Sequence, residues 1–246
     1  MKNLSVLVLL LLLFNSCKKE KVISTDLIRS LKVSATEVPA DGSSTLYVTA
    51  EINEDSDPDR RIVVFTSNNG SFGEKGDSTI SQKAIFEGEK LISRVQFKAP
   101  ISTGTITIKA RVDLSNEKRD FTKMVSVQAL SSIPDKLTLT ASSFSVMVKY
   151  GNEISIIGQL VNNSNKFVSK GNKVIFSDSY EDGTPVNGFY RQLQLSSNAS
   201  SNVSATYTPG EIGVGKRIWL KCHLLDENGR NTTIKDSILI HTISNN

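Results

Sequence analysis

From about Asp26 onward, apolar side chains recur at every second position, in short runs broken by Gly, Asn, Asp, Ser and Pro, and no stretch carries a helical period. Leu46, Val48, Ala50 and Ile52 alternate with Tyr47, Thr49 and Glu51, and Ile106, Ile108, Ala110 and Val112 alternate with Thr107, Lys109 and Arg111. Only an extended strand places such sets on opposite faces. Further runs at Leu31 to Ala35, Ile62 to Thr66, Leu91 to Phe97 and Phe121 to Val127 complete one set of strands. A similar series follows at an offset of about 110 residues, the mark of a duplicated unit. Val63 and Phe65 correspond to Val174 and Phe176, and Ile106 to Val112 correspond to Ile218, Leu220, Cys222 and Leu224. Leu46, Val48 and Ile52 match Ile154, Ile156 and Leu160, and Leu31 with Val33 matches Leu137 with Leu139.

About seven strands in about 100 residues is the count of an immunoglobulin-type sandwich. The expected architecture is therefore all-β, with two tandem immunoglobulin-like β-sandwiches over 28–130 and 131–246. The boundary falls at Ser131-Ser132-Ile133-Pro134-Asp135, where proline and small polar residues interrupt pairing. So short a linker predicts limited bending between the two units.

The N-terminus carries a different signal. Lys2 precedes an unbroken apolar run from Val6 to Phe14, then Asn15, Ser16 and Cys17, after which Lys18, Lys19, Glu20 and Lys21 follow. This is the layout of a secretory signal peptide over 1–16, and its apolar core is shorter than the ~18–20 residues that span a bilayer. Leu13-Phe14-Asn15-Ser16-Cys17 resembles the lipobox of bacterial lipoproteins, and Ser16-Cys17-Lys18-Lys19-Glu20 is most similar to the Bacteroidetes type. The resemblance implies that Cys17 is diacylated, that the signal is cut before it, and that the new amine is acylated, with 17–27 as a lipidated linker. Three acyl chains hold a protein firmly to a membrane, since each buried methylene adds about 0.8 kcal/mol.

Composition then narrows the class. Residues 1–16 carry one cation, Lys2, and no acid, so their removal lowers the formal charge from +4 to +3. That balance has no concentrated basic stripe and no recognisable module for nucleic acid, so nucleic-acid binding is set aside. With Cys17 lipidated, Cys222 is the remaining cysteine, and no internal disulfide staples either half. Stability has to come from apolar burial and sheet pairing.

Leu31-Lys32-Val33-Ser34-Ala35, Val38-Pro39-Ala40-Asp41-Gly42, the strand Leu46 to Ile52, Val64-Phe65-Thr66-Ser67 with Gly70 and Phe72, and Gly104 to Ala110 resemble the bacterial Ig-like repeats of invasin and intimin. The likeness covers roughly 28–129. The second half departs from it, with Tyr150-Gly151-Asn152 in place of Ala-Asp-Gly and a longer polar insertion from Asp178 to Phe189. The family implies stalks, spacers and adhesive tips at bacterial surfaces, and it offers no catalytic residues to transfer.

No nucleophile with its base, paired carboxylates or metal motif has a signature here, so no catalytic residue is assigned and the protein is expected not to be an enzyme. His223 falls on the outward phase of the strand Ile218 to Leu224, where solvent exposure is expected, and Cys222 falls on the inward phase as a small buried hydrophobe. Glu54, Asp55, Asp57 and Asp59 cluster in one loop, a candidate calcium site that lacks the EF-hand spacing. Trp219 stands among Arg217, Lys221 and His223 opposite the core phase, while Tyr180, Phe189 and Tyr190 lie in or beside the polar insertion. Together these four aromatics are the candidate ligand surface. Asp77-Ser78-Thr79 and Asp236-Ser237-Ile238 resemble the O-glycosylation sites of exported Bacteroidetes proteins, at Ser78 and Ser237. The expected function is a non-enzymatic outer-membrane lipoprotein for adhesion, spacing or scaffolding, meeting protein or glycan at the cell surface and facing either the exterior or the periplasm. The alternatives are a carbohydrate-binding accessory of a glycan uptake system and a subunit of a larger envelope complex.

Overall fold

The computed structural model describes residues 27–113, 122–148 and 152–244. The signal peptide and Cys17 lie outside them. Among the described residues the regular structure is β, apart from one 3-10 turn at Pro58–Arg60.

In the first half, β1 (Ile28–Val33), β3 (Thr45–Ile52), β8 (Lys90–Lys98) and β5 (Ser71–Phe72) form one sheet, with β7 (Ile85–Glu87) also on β8. The facing sheet runs β2 (Glu37–Pro39), β10 (Lys123–Leu130), β9 (Gly104–Val112), β4 (Ile62–Ser67) and β6 (Thr79–Lys83). Pairing is antiparallel except where β2 joins β10. The alternation sets the layers. Leu46, Val48, Ala50 and Ile52 of β3 meet Val63, Phe65, Ile106, Ile108 and Ala110 of the other sheet in one buried cluster. Phe72 anchors the open end of this core, 5.2 Å edge-on from Phe97 and 6.4 Å from Phe65 between ring centroids. The turn that delivers Phe72 depends on Gly70, which has φ +77° and lies where a Cβ would strike the Phe97 ring.

The second half repeats the plan. β11 (Lys136–Ala141), β13 (Ile154–Val161), β16 (Asn202–Thr208) and β15 (Phe189–Gln194) form one sheet. The other consists of β12 (Ser145–Met147), β18 (Asn231–Ile243), β17 (Arg217–Leu225) and β14 (Val174–Tyr180). The residues matched by the sequence repeat stand at equivalent places: β1 and β11 pair with β3 and β13, and β4 and β14 pair with β9 and β17. β12 joins β18 in parallel, as β2 joins β10. Its buried cluster, from Leu137 to Ile240, is separate from the first, which runs from Leu27 to Ala129. Both halves are immunoglobulin-like sandwiches. One expectation is corrected here: Asp178, Ser179 and Tyr180 continue β14, so the polar insertion starts at Glu181.

Between the halves, Ser169 is a buried hub. Its hydroxyl donates to the Ala40 carbonyl (3.0 Å) and accepts the Ser132 N–H (2.7 Å). Its own carbonyl accepts from the side chains of Asn172 and Ser197. Beside it the Lys170 N–H donates to the Ile101 carbonyl, and Lys166 reaches Ser44 Oγ and, at 3.9 Å, Asp41. The Ala-Asp-Gly turn therefore sits at the junction. Asp41 is 1% exposed and accepts two backbone N–H groups, from Ser43 (2.8 Å) and Ser44 (2.6 Å), together with the Ser44 hydroxyl (2.6 Å). Burial alone raises a carboxyl pKa, but these bonds to the charged form prevail and hold Asp41 below its usual range.

Candidate functional site

The outward face of the β14–β17–β18 sheet carries Trp219. Strand pairing puts Ser179 and Leu239 on either side of the indole, Ser177 and Ser237 beside Lys221, and Ile175 and Lys235 beside His223. Lys173, one step before β14, shares the outward phase of Ile175. Trp219, Lys221 and His223 are half-buried, whereas Lys173 and Lys235 are exposed. Ser179 is only 4% exposed although it faces outward, and its hydroxyl has no hydrogen-bond partner. An outward serine on an edge strand is buried only when a neighbour lies across it, and its neighbour in register is the indole. His223 Nδ1 is also buried without a partner. Burial, then the charges of Lys235 and Lys221, pushes the His223 pKa down. The exposed histidine expected from the sequence is thus half-buried, flanked by lysines.

The four candidate aromatics do not converge. Tyr190 lies on the inward phase of β15, with its ring 6.1 Å from Phe176 and 5.0 Å from Tyr207, and packs against the second core. Phe189 is 62% exposed on the outer phase of that sheet, across the sandwich from Trp219. Tyr180 sits at the end of β14 in the inward phase, opposite buried Ile218. A single ligand gripped by Trp219 and Tyr190 together is therefore ruled out, because a sheet and a core separate them.

Tyr180 instead lines a shallow groove of about 590 Å³ with Glu181, Asp182, Thr184, Gly215, Lys216 and Arg217. Several of its charges are already satisfied. Arg217 pairs with Glu181 at 2.9 Å, and Asp182 accepts the hydroxyl and N–H of Thr184, which lower its pKa.

Sequence reasoning missed the residue that organises this pole. Asp178 occupies the inward phase of Val174 and Phe176 and accepts from the Tyr207 hydroxyl (2.8 Å), Gly188 N–H (2.8 Å) and Asn187 N–H (3.2 Å). The loop 181–188 is thereby tied to the core. Burial first, then Asp178, raises the pKa of both Tyr190 and Tyr207. The signal was a lone acid in phase with buried residues, read instead as the start of a loop.

In the acidic loop, Glu54 turns to Arg29 at 2.5 Å, and Asp57 precedes the 3-10 turn. Arg61 donates to the Ser56 carbonyl rather than to a carboxylate. No three of His, Cys, Asp and Glu gather as a cation site among the described residues, and the side chain of Asp59 lies outside them. Ser78 is exposed beside β6, and Ser237 is exposed on the Trp219 face. Asp236 has a structural task, accepting Leu139 N–H and Ser237 N–H at 2.8 Å each. Cys222 is fully buried, and burial pushes its thiol pKa up to about 12.

No protein-family model and no curated protein sequence matches this chain. Solved structures do resemble it. Invasin, described as a bacterial integrin-binding protein, superposes with a TM-score of 0.59 at 17% identity, over 88% of this chain and 39% of invasin. The adhesin InvE of Yersinia pseudotuberculosis gives 0.47 at 18% identity, over 89% of this chain and 59% of InvE. The chain thus spans less than two thirds of either protein, and the likeness to invasin shows a shared fold.

Proposed function

We propose that this chain is a non-enzymatic, lipid-anchored protein of the bacterial outer membrane whose two sandwiches act in adhesion, spacing or scaffolding. The observation that carries the reading is the pair of immunoglobulin-like sandwiches joined through Ser169, which shares its fold with a bacterial integrin-binding protein. The lipobox-like Leu13 to Cys17 supplies the tether, and the short linker supplies a spacer that holds its length. The test is protease treatment of intact cells with immunodetection of 133–246, beside a Cys17→Ala control. Loss of the second sandwich from intact wild-type cells, together with release of the variant from membranes, supports surface display. Protection until the envelope is permeabilised favours a scaffold on the periplasmic side. A Cys17→Ala protein that stays in the membrane sinks the anchor.

A further inference from the structure

The outward β14–β17–β18 face is a place where charge is left unbalanced. Along its strands the outward positions hold Lys173, Lys221, Lys235 and His223 and no acid, and no ion pair joins these three lysines to a carboxylate among the described residues. Arg217, at one end, already has Glu181. Lys221 stands two residues from His223 on β17, Lys235 is paired across from it on β18, and Lys173 is diagonal to it on β14. At this cluster Nδ1 of His223 lacks a partner, and at the other end of the face the hydroxyl of buried Ser179 lacks one too. Both atoms are buried, so what the face leaves free for a partner is its lysine charge and the indole.

We propose that this face binds an acidic polysaccharide, with Trp219 stacking on a sugar ring and the lysines around His223 pairing with its carboxylate or sulfate groups. The proposal deepens the adhesion reading by naming a ligand class, and rests on it only for where the glycan is met. The spacing suits a chain-like ligand. Same-face residues along a strand are ~7 Å apart, so the row Trp219, Lys221, His223 extends over ~13 Å, the length of a short run of sugars. An indole bordered by exposed Ser177 and Ser237 presents an apolar ring with hydroxyl-bearing neighbours, as a sugar's own faces require. A protein partner fits less well, because lysine is depleted at the centre of protein interfaces and the apolar neighbours here are only Ile175 and Leu239.

Trp219 is the protein's one tryptophan, so its emission reports on this face directly. The full chain, purified in mild detergent without glycosylation of Ser237, is titrated with polygalacturonate, with neutral dextran and poly-glutamate in parallel. The expected result is a saturable change in emission with polygalacturonate that weakens as salt rises, and little change with dextran. Lys221→Ala/Lys235→Ala weakens binding about tenfold or more at an unchanged unfolding midpoint, while Lys221→Arg/Lys235→Arg retains it. No response to polygalacturonate, or wild-type binding by the double alanine variant, overturns the proposal. An equal or stronger response to poly-glutamate overturns the sugar assignment and makes an acidic protein the partner. Failure here leaves surface display untouched, and failure of surface display leaves this binding intact.

Discussion

Asp178 and Gly188 act as one device, and it is visible only at the level of atoms. The carboxylate holds the Tyr207 hydroxyl and two loop N–H groups, and the loop can come this close because Gly188 has no side chain. A Cβ there would lie 2.5 Å from both Cε2 and the hydroxyl oxygen of Tyr207. Asp178→Ala leaves a buried hydroxyl without its acceptor and is expected to cost about 2–4 kcal/mol, and Gly188→Ala about 1–3 kcal/mol by overpacking. Urea unfolding midpoints read both, and Asp178→Asn, which keeps an acceptor oxygen, should lose less. His223 makes a second prediction. Its neighbours are Lys221 on its own strand, Lys235 on β18, and Ile175 and Lys173 on the β14 side. Burial, then the charges of Lys235 and Lys221, depresses its folded-state pKa, so below the unfolded value of about 6.5 the unfolded chain binds more protons. The associated stability is full above that pH and declines as pH falls toward the folded value. His223→Gln should flatten this part of a melting-temperature profile, and an unchanged slope would contradict the depressed pKa.

At the scale of elements, the central strands were legible because each has one dry and one wet face. Leu46 to Ile52, Ile106 to Val112 and Ile218 to Leu224 all lie within strands with the expected phase, including inward Cys222 and outward Trp219. The short edge pieces β2, β5, β7 and β12 gave no period, since two or three residues hold none, and for β2, β5 and β12 the pairing partner is also remote in sequence. β18 was hidden for another reason. Its first half, from Asn231 to Ser237, is polar except for Ile234, so an apolar period shows only where Ile238 and Ile240 follow. The candidate ligand surface failed on phase. Tyr190 follows Phe189 directly, and adjacent strand residues must face opposite ways, so the pair could not share a surface with each other, still less with Trp219 on another sheet. Lys173 and Lys235 escaped notice because they come from beside β14 and from β18, and only sheet register brings them to Lys221 and His223 on β17.

For the whole molecule, the decisive feature is the junction. Ser169, Lys170 and Lys166 of the second sandwich bond to Ala40, Ile101 and Ser44 of the first, two of them through main-chain carbonyls that a surface substitution cannot remove. Backbone amide NMR relaxation should report one common tumbling time for both sandwiches. Ser169→Ala, which removes the bonds to Ala40 and Ser132, should begin to separate the two times. Independent tumbling in the wild type would contradict a spacer of fixed length. Such a spacer serves display only if its near end is fixed to a membrane, and that tether rests on Cys17. The most direct measurement is the mass of the mature N-terminal peptide from the membrane fraction. Lipidation at Cys17 predicts a peptide that begins at that residue and carries acyl chains on both its thiol and its amine. A mature chain that starts elsewhere, or a Cys17 with a free thiol, would contradict it.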